Sequence, residues 1–305
     1  MIDFLKNEGI KDALIQDLLR FRDHFKLDAE LTYRIPKPKY LYYGNDVWEQ
    51  ALTALLCGEH LLLVGPKATG KNVLSQNLAC AFGRPSWDIP LYINIDAQTL
   101  IGSDTFVQGE VRFRRGPVTE CAMHGGFGIL DEINMAKNEA LAVLHATLDF
   151  RRIIDVPGYD KITLNGATRF IATMNYGYAG TRELNEALAS RFMVIEMPGM
   201  SQDSLQKLLR REFPSLRPEY VQQFCGLFQD LQRKSENAEI STKAVDLRGL
   251  LGSIHLMERG LEANTALQLG LSNKAFDPFE RTLIQDVIRL RIPPNMERER
   301  LFKES

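Results

Sequence analysis

The segment Gly65-Pro66-Lys67-Ala68-Thr69-Gly70-Lys71-Asn72 constrains this chain more than any other. It directly follows the apolar run Leu61–Val64 and opens a helical pattern over 73–82. A G-x-x-x-x-G-K element between a strand and a helix is the context a phosphate-binding loop requires. The glycines let the backbone curl so that successive N–H groups point inward, and the helix N-terminus adds positive potential. Lys71 supplies a mobile cation for the β- and γ-phosphates. Gly65 through Asn72, with Val73 opening the helix, are therefore expected to hold a nucleoside triphosphate. A glycine-rich turn without chemistry would use the same residue types, but the strand before and the helix after argue against it. Position 72, where a Ser or Thr hydroxyl would ligate Mg²⁺, is Asn. A carboxamide oxygen is a hard neutral ligand, yet its extra length strains octahedral geometry, so weak metal affinity or slow hydrolysis is one expected consequence.

Two further strands end in residues suited to the same chemistry. Phe127-Gly128-Ile129-Leu130-Asp131-Glu132 is an apolar run closed by two carboxylates. At the C-terminal edge of a strand both can turn toward a ligand in the crevice above the sheet. Asp131 is expected to hold Mg²⁺, directly or through water, and Glu132 to orient and polarise the attacking water. The run 169–175 ends in Asn175, whose amide can hydrogen-bond a γ-phosphate or that water. Downstream, the short helix predicted over 184–192 carries Arg191 at its end. That residue is either a finger for a neighbouring protomer's γ-phosphate or the partner of a surface acid.

The alternation of short apolar runs (61–65, 91–95, 127–131, 169–175 and 192–197) with helical stretches from Gly44 to Pro198 predicts a parallel sheet flanked by helices. Two segments depart from that alternation and predict β-hairpins: 106–113, and 153–164 around Pro157-Gly158. The N-terminal 26 residues are apolar at helical spacing, with Leu5, Ile10, Leu14, Leu18, Leu19 and Phe25 as candidate buried positions. Arg34-Ile35-Pro36-Lys37-Pro38-Lys39 then breaks the helix into a linker. The dipeptide Pro198-Gly199 marks a boundary. The expected divisions are a helical extension and linker (1–43), an α/β nucleotide-binding core (44–198), a helical domain (199–293) and a solvated charged tail (294–305).

Composition excludes several other classes. With 305 residues, 45% hydrophobic and 25% charged, the chain is neither a disulfide-stapled miniature nor a disordered tail. Net charge is 37 − 39 = −2, which disfavours a non-specific nucleic-acid binder. The four cysteines have no C-x-x-C spacing and read as reduced thiols, and the five histidines never pair at i, i+4, so no zinc site is expected. No apolar run approaches the ~18 residues of a membrane span, and the N-terminus lacks a secretory pattern, so a cytoplasmic location is expected.

Taken together, GPKATGKN, the hairpin plus FRRGPV, HGGFGILDEINMA, LDFRRIIDVPG, FIATMN and ELNEALASRF resemble the AAA+ ATPases, and more narrowly the MoxR group with its CbbQ, NorQ and GvpN proteins. The resemblance spans about 44–293. It implies an α/β fold: a P-loop AAA+ core whose parallel sheet carries two inserted β-hairpins, followed by a smaller all-helical lid. It also implies ATP and Mg²⁺ as cofactors, assembly into a homo-hexamer, a von Willebrand A domain partner, and ATP-driven remodelling or activation of a client protein or metalloenzyme. In those terms Glu132, Asn175 and Arg191 are the catalytic group, and the lid supplies a basic residue to the nucleotide. Arg248 is preferred there because Leu250, Leu251, Ile254 and Leu256 after it make the better helix face, with Lys243 as the alternative. Tyr40, Tyr42 and Tyr43 either wall an adenine pocket or pack on the sheet edge. Arg112, Arg114 and Arg115 either contact a client or form a solvated hairpin face. A nucleotide-gated assembly scaffold with little turnover is the alternative function that Asn72 raises.

Overall fold

Along each central strand of the sheet, apolar side chains point alternately to two faces, and each face is closed by its own set of helices. The computed structural model describes residues 1–156, 158–175 and 184–303. In chain order the elements are α1 (Ile2–Asn7), α2 (Asp12–His24), α3 (Asn45–Leu56), β1 (Leu61–Val64), α4 (Lys71–Phe82), β2 (Ser86–Pro90), α5 (Ala97–Ile101), β3 (Gly102–Val107), β4 (Glu110–Arg115), α6 (Pro117–Met123), β5 (Phe127–Asp131), α7 (Asn138–Leu141), α8 (His145–Leu148), β6 (Ile153–Ile154), β7 (Ile162–Thr163), β8 (Arg169–Met174), α9 (Glu186–Ala189), β9 (Met193–Glu196), α10 (Gln202–Glu212), α11 (Pro218–Glu236), α12 (Leu247–Glu258), α13 (Ala263–Gly270), α14 (Pro278–Arg291) and α15 (Arg298–Leu301). They form two compact units, Met1–Pro66 with Gly70–Met197, and Lys67–Thr69 with Pro198–Ser305.

The first unit holds a five-stranded sheet in the order β2-β5-β8-β1-β9, parallel throughout. Leu61, Leu63, Phe127, Ile171 and Ile195 pack on one face with residues of α1 to α4. Leu62, Ile89, Leu130, Phe170 and Ala172 pack on the other with residues of α5 to α8. Burial on both sides is why β1, β5 and β8 read as continuous apolar runs. One strand lies elsewhere than the sequence suggests. The run 91–95 is a turn, closed by Ile95 N–H donating to the Tyr92 carbonyl at 3.0 Å, and the strand is Ser86–Pro90. β2 alternates, with Trp87 and Ile89 buried and Asp88 and Pro90 exposed, rather than running apolar, and its place at the sheet edge tolerates Pro90. Both expected hairpins form, β3 with β4 and β6 with β7, although Pro157 in the second lies outside the described residues. The hairpins meet at Tyr159, whose ring lies 5.0 Å from that of Phe113 and whose hydroxyl donates to Asp104 Oδ1 at 2.5 Å.

The N-terminal helices belong to this core. Leu5, Ile10 and Leu18 are buried, but Leu19 is exposed, and Ile15 and Phe21 take the inner face with Leu18 instead. The spacing 15, 18, 21 is one face of a helix, and Leu19 falls beside it. Phe21 packs edge-on against Phe82 of α4. Arg22 donates Nε to the Ala81 carbonyl at 2.7 Å and Nη2 to the Cys80 carbonyl at 2.9 Å, placing a cation on the C-terminal carbonyls of α4.

The second unit, from Pro198, is all helical. Ser201, Asp246, Glu262 and Asp277 cap α10, α12, α13 and α14 by accepting backbone N–H bonds. α12 and α13 touch backbone to backbone: a methyl at Gly249 would come within 2.1 Å of the Gly270 carbonyl oxygen. The expected solvated tail is corrected here. Leu301 and Phe302 are buried, Phe302 bridges Leu216 in antiparallel fashion, and Lys303 N–H donates to the Ser215 carbonyl at 2.8 Å. Met296 is buried as well, and the charges of 297–300 hide these few apolar anchors. Phe302→Ala should destabilise the protein by about 3–5 kcal/mol, the cost of emptying a core aromatic site. Equilibrium denaturation measures it, and a loss within about 0.5 kcal/mol would mean the tail is solvated after all.

Candidate functional site

All strands of the sheet run the same way, so the C-terminal ends of β1, β5 and β8 open on one edge, where the loops after them meet. The loop after β1 begins with Gly65, whose N–H donates to the Met174 carbonyl at 3.2 Å and so extends the β1–β8 ladder by one residue. It then turns through two left-handed residues, Ala68 (φ 63°) and Gly70 (φ 85°), and enters α4. A non-glycine residue in that region is strained, and such strain gathers where backbone groups must face a ligand. Gly70 is the N-cap of α4 and offers no side-chain acceptor to the first turn, and a helix N-terminus of this kind is suited to an anion.

Lys71 is the first residue of α4 and is 7% exposed. Its ammonium group donates to the carbonyls of Gly65 at 2.8 Å and Pro66 at 2.7 Å, the first two residues of the loop it closes. Burial pushes its pKa down to about 8, opposed by the charges of Asp131 and Glu132.

Asp131 ties together three elements. Its Oδ1 accepts the Thr173 hydroxyl of β8 at 2.6 Å, and its Oδ2 accepts the Asn72 amide of α4 at 3.0 Å. The chain then turns through Glu132, a left-handed residue at φ 56°, which lets two successive carboxylates leave a strand toward the same edge. Glu132 N–H donates to the same Thr173 hydroxyl at 3.1 Å, and Glu132 Oε1 accepts from Asn175 Nδ2 at 3.2 Å. Asn134 Nδ2 donates to the Asn175 carbonyl at 3.0 Å and secures that strand end. Asn72, Asp131, Glu132 and Asn175 thus form one hydrogen-bonded network beside the phosphate-type loop. Asp131 with the Asn72 carboxamide oxygen is a hard oxygen donor pair of the kind that would suit Mg²⁺.

Several members of this site were not singled out in the sequence. Thr173 serves both carboxylate residues, and its signal was a hydroxyl two positions before Asn175 in an otherwise apolar strand. Asp88 of β2 pairs with Ile129 in register and so shares a sheet face with Asp131, and burial together with the Asp131 charge pushes its carboxyl up. Asn77, buried in α4, accepts from Tyr42 N–H at 3.0 Å and donates to the Tyr40 carbonyl at 2.9 Å. Those bonds hold the linker against the loop's own helix. Of the tyrosine cluster, Tyr42 is the buried member, and a methyl added at Gly70 would lie 3.0 Å from its ring. Tyr42 is therefore packing beneath the loop, Tyr43 stacks edge-on with Phe4, and Lys39 lies over Tyr40.

Arg191 donates Nε to the His145 carbonyl at 3.1 Å and Nη1 to the Ala187 carbonyl, and its Nη2 lies 3.5 Å from Asp149 Oδ2. Within one chain it is the partner of an acid. Arg248 is exposed in the first turn of α12, and Lys243 lies 5.6 Å over the Phe276 ring. On the first hairpin, Arg112 pairs with Glu110 at 3.0 Å and Arg115 approaches Glu120 at 3.9 Å, a solvated face. Glu183, at the start of the ELNEALASRF segment, lies outside the described residues. No helix is long and apolar enough to cross a membrane among the described residues.

Comparison with known proteins agrees with this geometry. Residues 60–192 match the model of the AAA domain, dynein-related subfamily. The uncharacterized protein YojN of Bacillus subtilis is 31% identical over 288 residues, 93% of this chain and 94% of the relative. SH1500 of Staphylococcus haemolyticus is 30% identical over 261 residues, 83% of this chain and 98% of the relative. SAUSA300_1302 of Staphylococcus aureus is 30% identical over 258 residues, 82% of this chain and 97% of the relative.

The depressed Lys71 pKa gives a signed pH dependence. Below about pH 8 the ammonium is charged and available to phosphate. Above it the free protein carries a neutral amine that must take up a proton on binding, so ATP affinity should be flat below about 8 and fall by up to tenfold per pH unit above. Calorimetry in buffers of different ionisation heat should show proton uptake only on the alkaline side, and affinity unchanged up to pH 9.5 would contradict it.

Proposed function

The chain belongs to the AAA-domain family that includes YojN, a family of AAA+ ATPases, and from that membership we propose that it hydrolyses ATP in a ring of protomers to remodel or activate a client. The observation that carries the reading is the network joining Asn72, Asp131, Glu132 and Asn175 beside Lys71. The loop 65–70 and the first turn of α4 bind the phosphates through backbone N–H groups, with Lys71 as the mobile cation. Asp131 and the Asn72 carboxamide oxygen are the pair that would hold Mg²⁺, which when bound would neutralise charge on the β- and γ-phosphates. Glu132 orients and polarises the attacking water, and Asn175 fixes the Glu132 carboxylate by donating to Oε1. Arg191 is assigned to the γ-phosphate of the adjacent protomer and Arg248 to the nucleotide from the helical domain, both on the resemblance to the MoxR group. The same likeness supports a homo-hexamer, a von Willebrand A domain partner and a client enzyme, with a metalloenzyme as one class. A net charge of −2 speaks against DNA as the client.

One observation favours a second reading. The Asn72 amide already donates to the metal-binding carboxylate, and a carboxamide reaches further than a hydroxyl, which suits a scaffold that binds ATP and turns it over slowly. Glu132→Gln should retain ATP binding and lose turnover by about 10²-fold or more, the usual contribution of a positioned base. Unchanged turnover would remove Glu132 from the mechanism. Asn72→Thr separates the two readings: turnover near the parent value marks a competent motor, and a rise of tenfold or more marks a scaffold.

A further inference from the structure

Arg191 does not stand alone at the end of α9. Asp149, the residue after α8, carries two guanidinium groups on one carboxylate. Arg151 grips it from both sides, with Nε 3.0 Å from Oδ1, Nη2 2.6 Å from Oδ2, and its own backbone N–H donating to Oδ1 at 3.0 Å. Arg191 reaches the same Oδ2 at 3.5 Å, the outer limit of a hydrogen bond. The side chains of Asp149 and Arg191 are 13% and 22% exposed, whereas that of Arg151 is 47% exposed. The hydrogen bond from Arg151, first among the causes, holds the Asp149 carboxyl down to about 2, so it is an anion throughout the physiological range.

One negative and two positive charges leave this corner with a surplus of one positive charge, an arrangement suited to an incoming anion. The two arginines differ in how easily they leave. Removing Arg151 would strip Asp149 of its close bidentate partner, whereas withdrawing Arg191 breaks one long contact to the carboxylate, together with its bonds to the His145 and Ala187 carbonyls, and leaves the carboxylate paired. Stranding a largely buried charge is costly, and the reserve partner avoids that cost. The chain around the arginines is also unusually apolar for a surface: Phe150 is 92% exposed between Asp149 and Arg151, and Met193 and Val194 just after Arg191 are 49% and 58% exposed.

Resting on the reading of Arg191 as a residue for the adjacent protomer, we infer that Asp149 is a positioning residue that parks Arg191 on its own chain until a neighbouring copy presents its triphosphate. Arg151 is the reserve partner that keeps Asp149 paired on release. A triphosphate carries several negative charges and competes with a single carboxylate already shared with Arg151. Arg191 therefore changes hands only when a loaded neighbour is in place, and hydrolysis is tied to assembly.

The test is ATP turnover per chain of the full protein across a dilution series down to nanomolar concentration. The parent should lose turnover on dilution, with a measurable midpoint, and Arg191→Ala should be inactive at every concentration. Asp149→Asn removes the parking charge and should lower the midpoint by about 2- to 5-fold, the range of a partly exposed pair. Arg151→Gln leaves Asp149 with Arg191 alone and should raise the midpoint by a similar factor. Opposite shifts cannot both arise from damage to the fold. With Arg191→Ala inactive, unchanged or same-direction midpoints in the two variants would overturn the parking role alone. Full turnover in Arg191→Ala, or parent turnover that is constant on dilution, would overturn the trans assignment and the parking role together.

Discussion

The carboxylate of Asp131 is the contact on which the rest of the site depends. It stands where α4, β5 and the neighbouring β8 converge, and each of its oxygens is taken by a different element: Thr173 from the sheet, Asn72 from the helix. A buried or half-buried carboxylate held by two donors of fixed origin acts as a ruler between them. If α4 slid along the sheet, the Asn72 contact would open, and if β5 and β8 changed register, the Thr173 contact would. The network therefore reports, and enforces, the alignment that puts the α4 N-terminus beside the acidic pair.

That alignment is maintained from behind by the N-terminal segment, which forms no separate body. Arg22 holds the C-terminal carbonyls of α4, Asn77 binds the linker at Tyr40 and Tyr42, and the Tyr42 ring lies against Gly70. Trp48 Nε1 donates to the Tyr42 carbonyl at 2.8 Å, so the linker is fixed on its far side as well. The helix that carries Lys71 is thus gripped at its C-terminus, its middle and its N-cap by residues that precede the sheet. A side chain at position 70 would have to displace an aromatic ring, which adds a packing reason to the conformational one for glycine there.

The parts legible in the sequence are those whose signal is local. The loop 65–72, the strands ending in Asp131 and Asn175, and the hairpins are contiguous patterns of a few residues, and periodicity reveals them. What could not be read depends on partners far along the chain. β2 was displaced because an edge strand alternates while the turn after it, holding buried Leu91 and Ile95, is apolar enough to imitate a central strand. The tail's charges outnumber Met296, Leu301 and Phe302, although those three are the buried residues that anchor it. Thr173, Asn77 and the Arg22 cap connect positions 35 to 59 residues apart, a separation at which no window of sequence shows a bond. Arg191 was legible as an arginine at a helix end, but its partner Asp149 is 42 residues away.

Asn72 draws these lines together. A hydroxyl at this position combines two duties in one atom, an oxygen for the metal and a proton for the neighbouring carboxylate. The carboxamide divides them: Nδ2 donates to Asp131 Oδ2, and Oδ1 is left as a pure acceptor. The extra bond length is absorbed because Asp131 is fixed by Thr173 from the opposite side and does not have to move to meet the amide. The departure from a hydroxyl therefore leaves one side chain with both a donor on Asp131 and a separate acceptor oxygen.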